Sequence, residues 1–336
     1  MEYRQLGSSE VRVSAVTLGA WAIGGWMWGP QDDQASVAAI REALRCGVTS
    51  IDTAAVYGFG RSEEVIARAL EGVPRDQVQV LTKFGLRWDT PEGRNPWTTY
   101  DSRGNLVTIV HNGRRKSVLW ECEQSLRRLR TDYIDLYQCH WRDPQTDIEE
   151  TMEALAALMK DGKIRAAGVS NVGVAEMQAA KAVVELASDQ PPYSMLQRDI
   201  EAEILPWCRE NHVGVLVYSP LARGLLTGKV TMDRQFPKDD HRGSRPLFAP
   251  ENRRKVLNFL DKLRPIAAGH GVSLAQLVIH WTIHRPGITA ALVGARSAEQ
   301  ARENAGAAEC ALTDKETAEI NNWVDEVNQE VQVKGE

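Results

Sequence analysis

Short apolar runs, rich in β-branched residues, recur along the chain and alternate with longer segments whose apolar positions return every three to four residues. After a candidate N-terminal hairpin (3–6 and 11–14), the runs predict strands at 16–18, 49–51, 78–82, 134–138, 166–169, 195–196, 215–218 and 290–293. The segments between them have readable helix starts: Asp33 before 35–46, Ser62 before 63–71 and Asp147 before 148–160. Ser273 with Gln276, Ser297 with Gln300 and Thr313 with Glu316 have capping-box spacing, and the last opens a terminal helix to about residue 327.

Eight strand and helix repeats within about 300 residues predict a (β/α)8 barrel, carried as one domain over residues 1–336, with an open doubly wound sheet as the alternative. Two long connections, 84–114 and 223–250, are rich in Gly, Pro, Asp and Arg. In a barrel they follow the third and seventh strands, on the face where active sites are built, and are expected to be loops that shape a substrate pocket.

Composition narrows the function without choosing it. With 43% hydrophobic and 25% charged residues the chain is of ordinary globular type. A net charge of −5 without a basic block argues against nucleic acid or an anionic membrane as partner. The N-terminus MEYRQLGSSE has no signal-peptide pattern, and no run approaches the roughly 20 apolar residues of a membrane helix, so a cytoplasmic location is expected. Five scattered cysteines without C-x-x-C spacing fit a reducing compartment. Ten tryptophans are many, and several stand among glycines and prolines.

The strand ends carry the chemistry. Asp52 and Tyr57 follow the second strand, Lys83 the third and His140 the fourth. Singly, each has an ordinary reading: a helix cap, a packing ring, a solvated cation, a satisfied imidazole. A closed parallel barrel would bring all four to one rim. There a carboxylate could anchor an ammonium, and the ammonium could lower the pKa of a phenol. A metal site around His140 and Asp143 lacks paired ligand spacing, and His280 with His284 sit at i, i+4 among apolar residues of an outer helix, as core or surface histidines.

With these residues in order, the chain resembles the aldo-keto reductases over nearly its whole length. "DTAAVY", "LTKFG" and "IDLYQCHW" match that family's Asp, Tyr, Lys and His motifs, and "GVSN", "YSPLARGLLTGK" and "GARSAEQARENAG" are similar to bacterial reductases of the branch that includes the β subunits of voltage-gated potassium channels. The resemblance implies reduction of a small-molecule carbonyl by hydride transfer, with Tyr57 as proton donor, His140 orienting the carbonyl oxygen and Lys83 paired to Asp52. It implies a nicotinamide cofactor bound at the barrel mouth without a Rossmann domain. Consistently, neither "GFGRSEE" nor "GAWAIGG" has dinucleotide-fingerprint spacing.

By matching position, Ser170, Asn171 and Gln190 should bond the nicotinamide carboxamide and Tyr218 should stack on its ring. Ser219, Pro220, Leu221, Arg223, Gly224 and Lys229 should surround the pyrophosphate. Arg296 should read a 2′-phosphate, with Gln300, Glu303 and Asn304 at the adenosine end. Gly19, Ala20, Trp21, Asp52 and Gly294 complete the cofactor set. NADP(H) is preferred and NAD(H) is the alternative, because this segment departs from the best-known members, which carry Lys and Ser near its start and Arg where Gln300 stands. Trp21, Trp88 and Trp141 are the candidate substrate wall, open to an apolar, aromatic or sugar-derived carbonyl. A Schiff-base role for Lys83 and a cofactor-binding regulatory subunit without turnover are the rival functions, and the oligomeric state stays open.

Overall fold

The computed structural model describes residues 1–237 and 240–331. Eight parallel strands, Val16–Gly19, Ser50–Asp52, Gln79–Phe84, Ile134–Cys139, Ile164–Ser170, Leu186–Gln190, Gly214–Tyr218 and Ala290–Gly294, pair in chain order and close into a barrel. Helices follow each strand and bury their apolar stripes against its outer face, which is the (β/α)8 fold expected from the alternation of periods. Register aligns the strand ends: Gly19 pairs with Asp52, Lys83 with Gln138, Ser170 with Gln190, and Gly294 with Gly19.

The N-terminal hairpin, Tyr3–Gln5 with Arg12–Ser14, closes the opposite end. Its Leu6, Val11 and Val13 pack into the barrel interior against Leu81, Leu136, Leu216 and Ala290. The interior is therefore filled with side chains below the site, and only the rim formed by the strand carboxyl ends is open to a ligand.

One strand lies elsewhere than the apolar pattern suggests. Met195 and Leu196 are buried but sit in a turn closed by Ser194 and Gln197, and the sixth strand is Leu186–Gln190. Its sequence LASDQ is half polar, because Ser188 and Gln190 serve the barrel interior; a strand carrying site residues lacks the apolar run that advertises one.

Two helix starts also shift. Asp32, not Asp33, caps Asp33–Arg45 by accepting from the Ala35 N–H at 2.7 Å, and Asp33 pairs with Arg61 and Arg68 instead. Arg61–Ala69 starts after Gly60 in the left-handed region, and the Ser62 hydroxyl donates to the Ala20 carbonyl at 3.0 Å. The Ser273 and Thr313 boxes form as expected, the latter opening the terminal helix Asp314–Glu330, while Gln300 turns its side chain to the Arg296 N–H.

The connection after the third strand is a sheet, not a loop. Leu86–Arg87, Arg94–Tyr100 and Leu106–His111 form three antiparallel strands with Leu106–His111 in the middle. The connection after the seventh strand is irregular, with short turns at Ala222–Thr227, His241–Ser244 and Pro246–Phe248. Among the described residues no single helix is long and apolar enough to cross a membrane.

Candidate active site

Lys83 projects from the third strand into the rim. Its Nζ donates to Asp52 Oδ1 at 2.6 Å and to the Thr53 carbonyl at 2.9 Å, and stands 3.4 Å from the Tyr57 hydroxyl. The Lys83 and Asp52 side chains are 0% and 4% exposed, so neither charge is screened by bulk water. The second Asp52 oxygen accepts from Gln190 Nε2 at 2.9 Å and from Gln138 Nε2 at 3.4 Å. A buried ion pair persists only when the remaining lone pairs are satisfied, and these two amides supply that.

Tyr57 lies on the loop after the second strand, against the short helix Trp21–Gly24. A Cβ on Gly24 would stand 2.6 Å from the Tyr57 carbonyl carbon, and Gly58 has φ +66° against the Gly24 backbone, so glycine at both positions permits the contact. The Tyr57 ring stacks on Trp21 at 6.1 Å and meets the His140 ring edge-on at 5.6 Å.

Burial governs protonation here. It pushes the Tyr57 phenol well above its usual value, with the Asp52 charge adding to the effect. The net shift runs opposite to the lowering expected from Lys83, because desolvation disfavours the phenolate and the carboxylate bound to the ammonium counters its field. Burial lowers Lys83 while Asp52 opposes that shift. His140 is held well below its usual value by burial, then by the Lys83 charge and by His111. The site thus presents a neutral phenol, a neutral imidazole and a clamped cation.

A cavity of about 950 Å³ runs from these residues across the barrel mouth. Every residue given a cofactor role from the sequence lines it, from Gly19, Ala20 and Trp21, through Ser170, Asn171, Gln190 and the 218–229 segment, to Gly294, Arg296, Gln300, Glu303 and Asn304. Several are held by protein contacts. The Tyr218 hydroxyl donates to Asn171 Oδ1 at 2.8 Å, Asn171 Nδ2 donates to the His140 carbonyl at 3.1 Å, and Ser170 Oγ donates to the Gln190 carbonyl at 2.7 Å. Lys229 Nζ is 2.8 Å from Glu303 across the cavity, and Asn304 Nδ2 donates to the Gly294 carbonyl at 3.0 Å.

Trp21 and Trp141 line the cavity, but Trp88 does not. Its ring packs on Phe59 and lies near the Arg128 guanidinium, because the inserted sheet turns it away from the mouth. Trp26, Trp28 and Trp97 line the wall as well.

Other site residues escaped the sequence reading. Gln138 had a signal, since it stands on the fourth strand two residues before His140, which directly follows that strand's end at Cys139. His111, Arg234, Arg242 and Arg245 had none, because irregular or unrecognised segments deliver them to the cavity. Arg242 is bound to Asp240 at 2.6 Å and lies over Trp28. Arg234, Arg245 and Arg296 line the cavity with no ion pair to another described residue, and burial together with Arg242 and Arg234 lowers the pKa of Arg296.

Comparison with known proteins agrees with the fold. The model of the Aldo/keto reductase family matches residues 15–325. The chain is 40% identical over 302 residues to aldo-keto reductase YhdN of Bacillus subtilis (strain 168), covering 89% of this chain and 86% of that protein. It is 38% identical over 314 residues to the NADH-specific methylglyoxal reductase of Escherichia coli (strain K12), covering 92% and 94%. Among solved structures, the glycerol dehydrogenase AKR11B4 from Gluconobacter oxydans superposes with a TM-score of 0.85 at 38% identity, covering 96% of this chain and 95% of that one. An aldo/keto reductase from Klebsiella pneumoniae, in complex with NADP and acetate, superposes with a TM-score of 0.72 at 30% identity, covering 96% and 95%.

Proposed function

The chain belongs to the aldo/keto reductase family, and on that premise we propose that it reduces aldehydes or ketones to alcohols with NADP(H), using Tyr57 as the proton donor. The observation that carries the reading is the buried Lys83–Asp52 pair with its ammonium 3.4 Å behind the Tyr57 hydroxyl, at the mouth of a long cavity. A phenol kept neutral by its surroundings is a proton donor at physiological pH. As the substrate oxygen gains charge it takes the Tyr57 proton, and the phenolate left behind faces Lys83, whose position Asp52, Thr53, Gln138 and Gln190 secure. His140, neutral and edge-on to Tyr57, orients the same oxygen through a ring N–H.

The donor set along the cavity suits a dinucleotide. Tyr218 offers a flat aromatic face fixed by Asn171, and Arg234, Arg245 and Arg296 offer positive charge in a protein whose net charge is −5. When bound, the nicotinamide supplies the hydride. The guanidinium group at Arg296 favours the extra phosphate of NADP(H), and the Klebsiella structure with NADP supports it, while the NADH-specific Escherichia coli relative makes NAD(H) the alternative. A Schiff-base role for Lys83 has little support, because its amine is sealed behind Tyr57 and clamped by two acceptors.

The test is oxidation of NADPH, with NADH in parallel, on a generic aromatic aldehyde by wild type and Tyr57→Phe. The variant is expected to lose about 10²-fold or more of turnover while binding cofactor as before. Retention of most activity would remove Tyr57 from the role. Cofactor binding without turnover over a broad carbonyl panel would favour a regulatory subunit instead.

A further inference from the structure

The substrate end of the cavity carries a polar atom that the mechanism leaves unused. His111 ends the middle strand of the inserted sheet and lines the cavity together with Leu86 and Trp97 of the same sheet. Its Nδ1 is 3.2 Å from the Arg142 carbonyl oxygen. A carbonyl can only accept, so Nδ1 carries the ring hydrogen, and in the neutral imidazole Nε2 is an acceptor. Among the described residues Nε2 has no partner, and it is not sealed from the cavity.

Several donors that line the same cavity are already engaged. Ser170 donates to the Gln190 carbonyl, Asn171 bridges His140 and Tyr218, and Gln190 donates to Asp52 and Gln138. The Arg142 carbonyl that His111 Nδ1 meets lies two residues beyond His140, and both histidines line the same cavity. The cavity therefore holds an acceptor, His111 Nε2, together with the two donors, Tyr57 and His140, that take the substrate oxygen. An acceptor there repels a second carbonyl or a carboxylate and matches a hydroxyl hydrogen.

We propose that His111 Nε2 accepts a hydrogen bond from a hydroxyl on the carbon next to the reacting carbonyl, which selects 2-hydroxy aldehydes and ketones as substrates and vicinal diols as products. The inference rests on the reductase reading above. In the reaction the carbonyl carbon gains the hydride, its oxygen gains the Tyr57 proton, and the neighbouring hydroxyl is unchanged. The indole faces of Trp21, Trp97 and Trp141 close around the short carbon chain.

Wild type, His111→Phe and His111→Gln are compared on 2-hydroxypropanal and propanal with NADPH. In parallel, propane-1,2-diol and propan-1-ol are titrated against the NADP+ complex by tryptophan fluorescence, which the wall residues report. Wild type is expected to favour the hydroxylated aldehyde by about tenfold or more in kcat/KM, and to bind the diol above the mono-alcohol. His111→Phe should bring both ratios near one, and His111→Gln, whose amide oxygen reaches toward the Nε2 position, should restore part of them. A wild-type ratio near one, or a ratio that survives His111→Phe, overturns the inference. Propanal turnover without preference leaves the reductase reading standing and fells this inference alone; no turnover of any carbonyl fells both. If His111→Phe does not fold, the wild-type ratios and His111→Gln still decide.

Discussion

At the scale of single residues, solvation outweighs pairwise charge. Tyr57, Lys83 and His140 are all shifted toward their neutral forms by burial, and only Lys83 has a partner that pulls strongly the other way. Asp189 is the extreme case outside the mechanism: it is fully buried, its carboxyl oxygens have no side-chain partner among the described residues, and burial lifts its pKa to about 8, with the Gln190 N–H an offset. An unfolded aspartate releases its proton near 3.9. Between those values the folded protein holds one proton more than the unfolded chain, so this group makes stability fall as pH rises from about 4 to about 8, with no further change above. Asp189→Asn is therefore expected to raise the urea midpoint at pH 7.5 more than at pH 5. Equal midpoint shifts at the two pH values would show that Asp189 does not titrate in this way. Nothing in the strand's sequence marks Asp189 as neutral; that follows from the helices packed over it.

At the scale of elements, the catalytic loop depends on a backbone contact and not on its own sequence alone. The short helix after the first strand and the loop after the second touch through Gly24 and Gly58. Gly24→Ala forces the Tyr57 backbone to shift, since a new Cβ 2.6 Å from a carbonyl carbon cannot be accommodated by a side-chain rotation. It is expected to lower kcat by about tenfold or more, as small misplacements of a catalytic group do, while far-UV circular dichroism and cofactor binding persist. Unchanged kcat would mean that the loop relaxes without moving the phenol. The alternation of periods made the barrel strands and most helices legible, because a strand buried on both faces needs apolar residues and a covering helix needs a stripe. The sixth strand and the inserted sheet were not legible for the converse reason. The first spends its interior positions on Ser188 and Gln190, and the second joins a polar, exposed strand, Arg94–Tyr100, to the apolar run LVTIVH, which stands among turn residues of a connection read as a loop.

At the scale of the whole molecule, an acidic protein gathers arginines on one cavity, and Arg234, Arg245 and Arg296 have no ion pair to another described residue. Arg234 and Arg245 come from the irregular connection after the seventh strand and Arg296 from the end of the eighth, and their charges act together on an anionic ligand. KM for NADPH should rise with ionic strength more steeply than KM for NADH, because the additional phosphate is screened. Arg296→Ala should raise KM for NADPH by about tenfold with a much smaller change for NADH, and equal changes for the two would remove Arg296 from 2′-phosphate recognition. The sequence by itself determined the barrel and the order of Asp52, Tyr57, Lys83 and His140 along it, because strand period and strand-end position are local properties, while the cofactor residues from Gly19 to Asn304 came from the resemblance to the aldo-keto reductases. Only the tertiary structure decided how those groups are protonated, that Gln138 and Gln190 complete the Asp52 shell, that Trp88 faces away, and that His111 and three further arginines reach the cavity. Those outcomes depend on desolvation and on distances between segments far apart in the chain, which no local pattern of residues encodes.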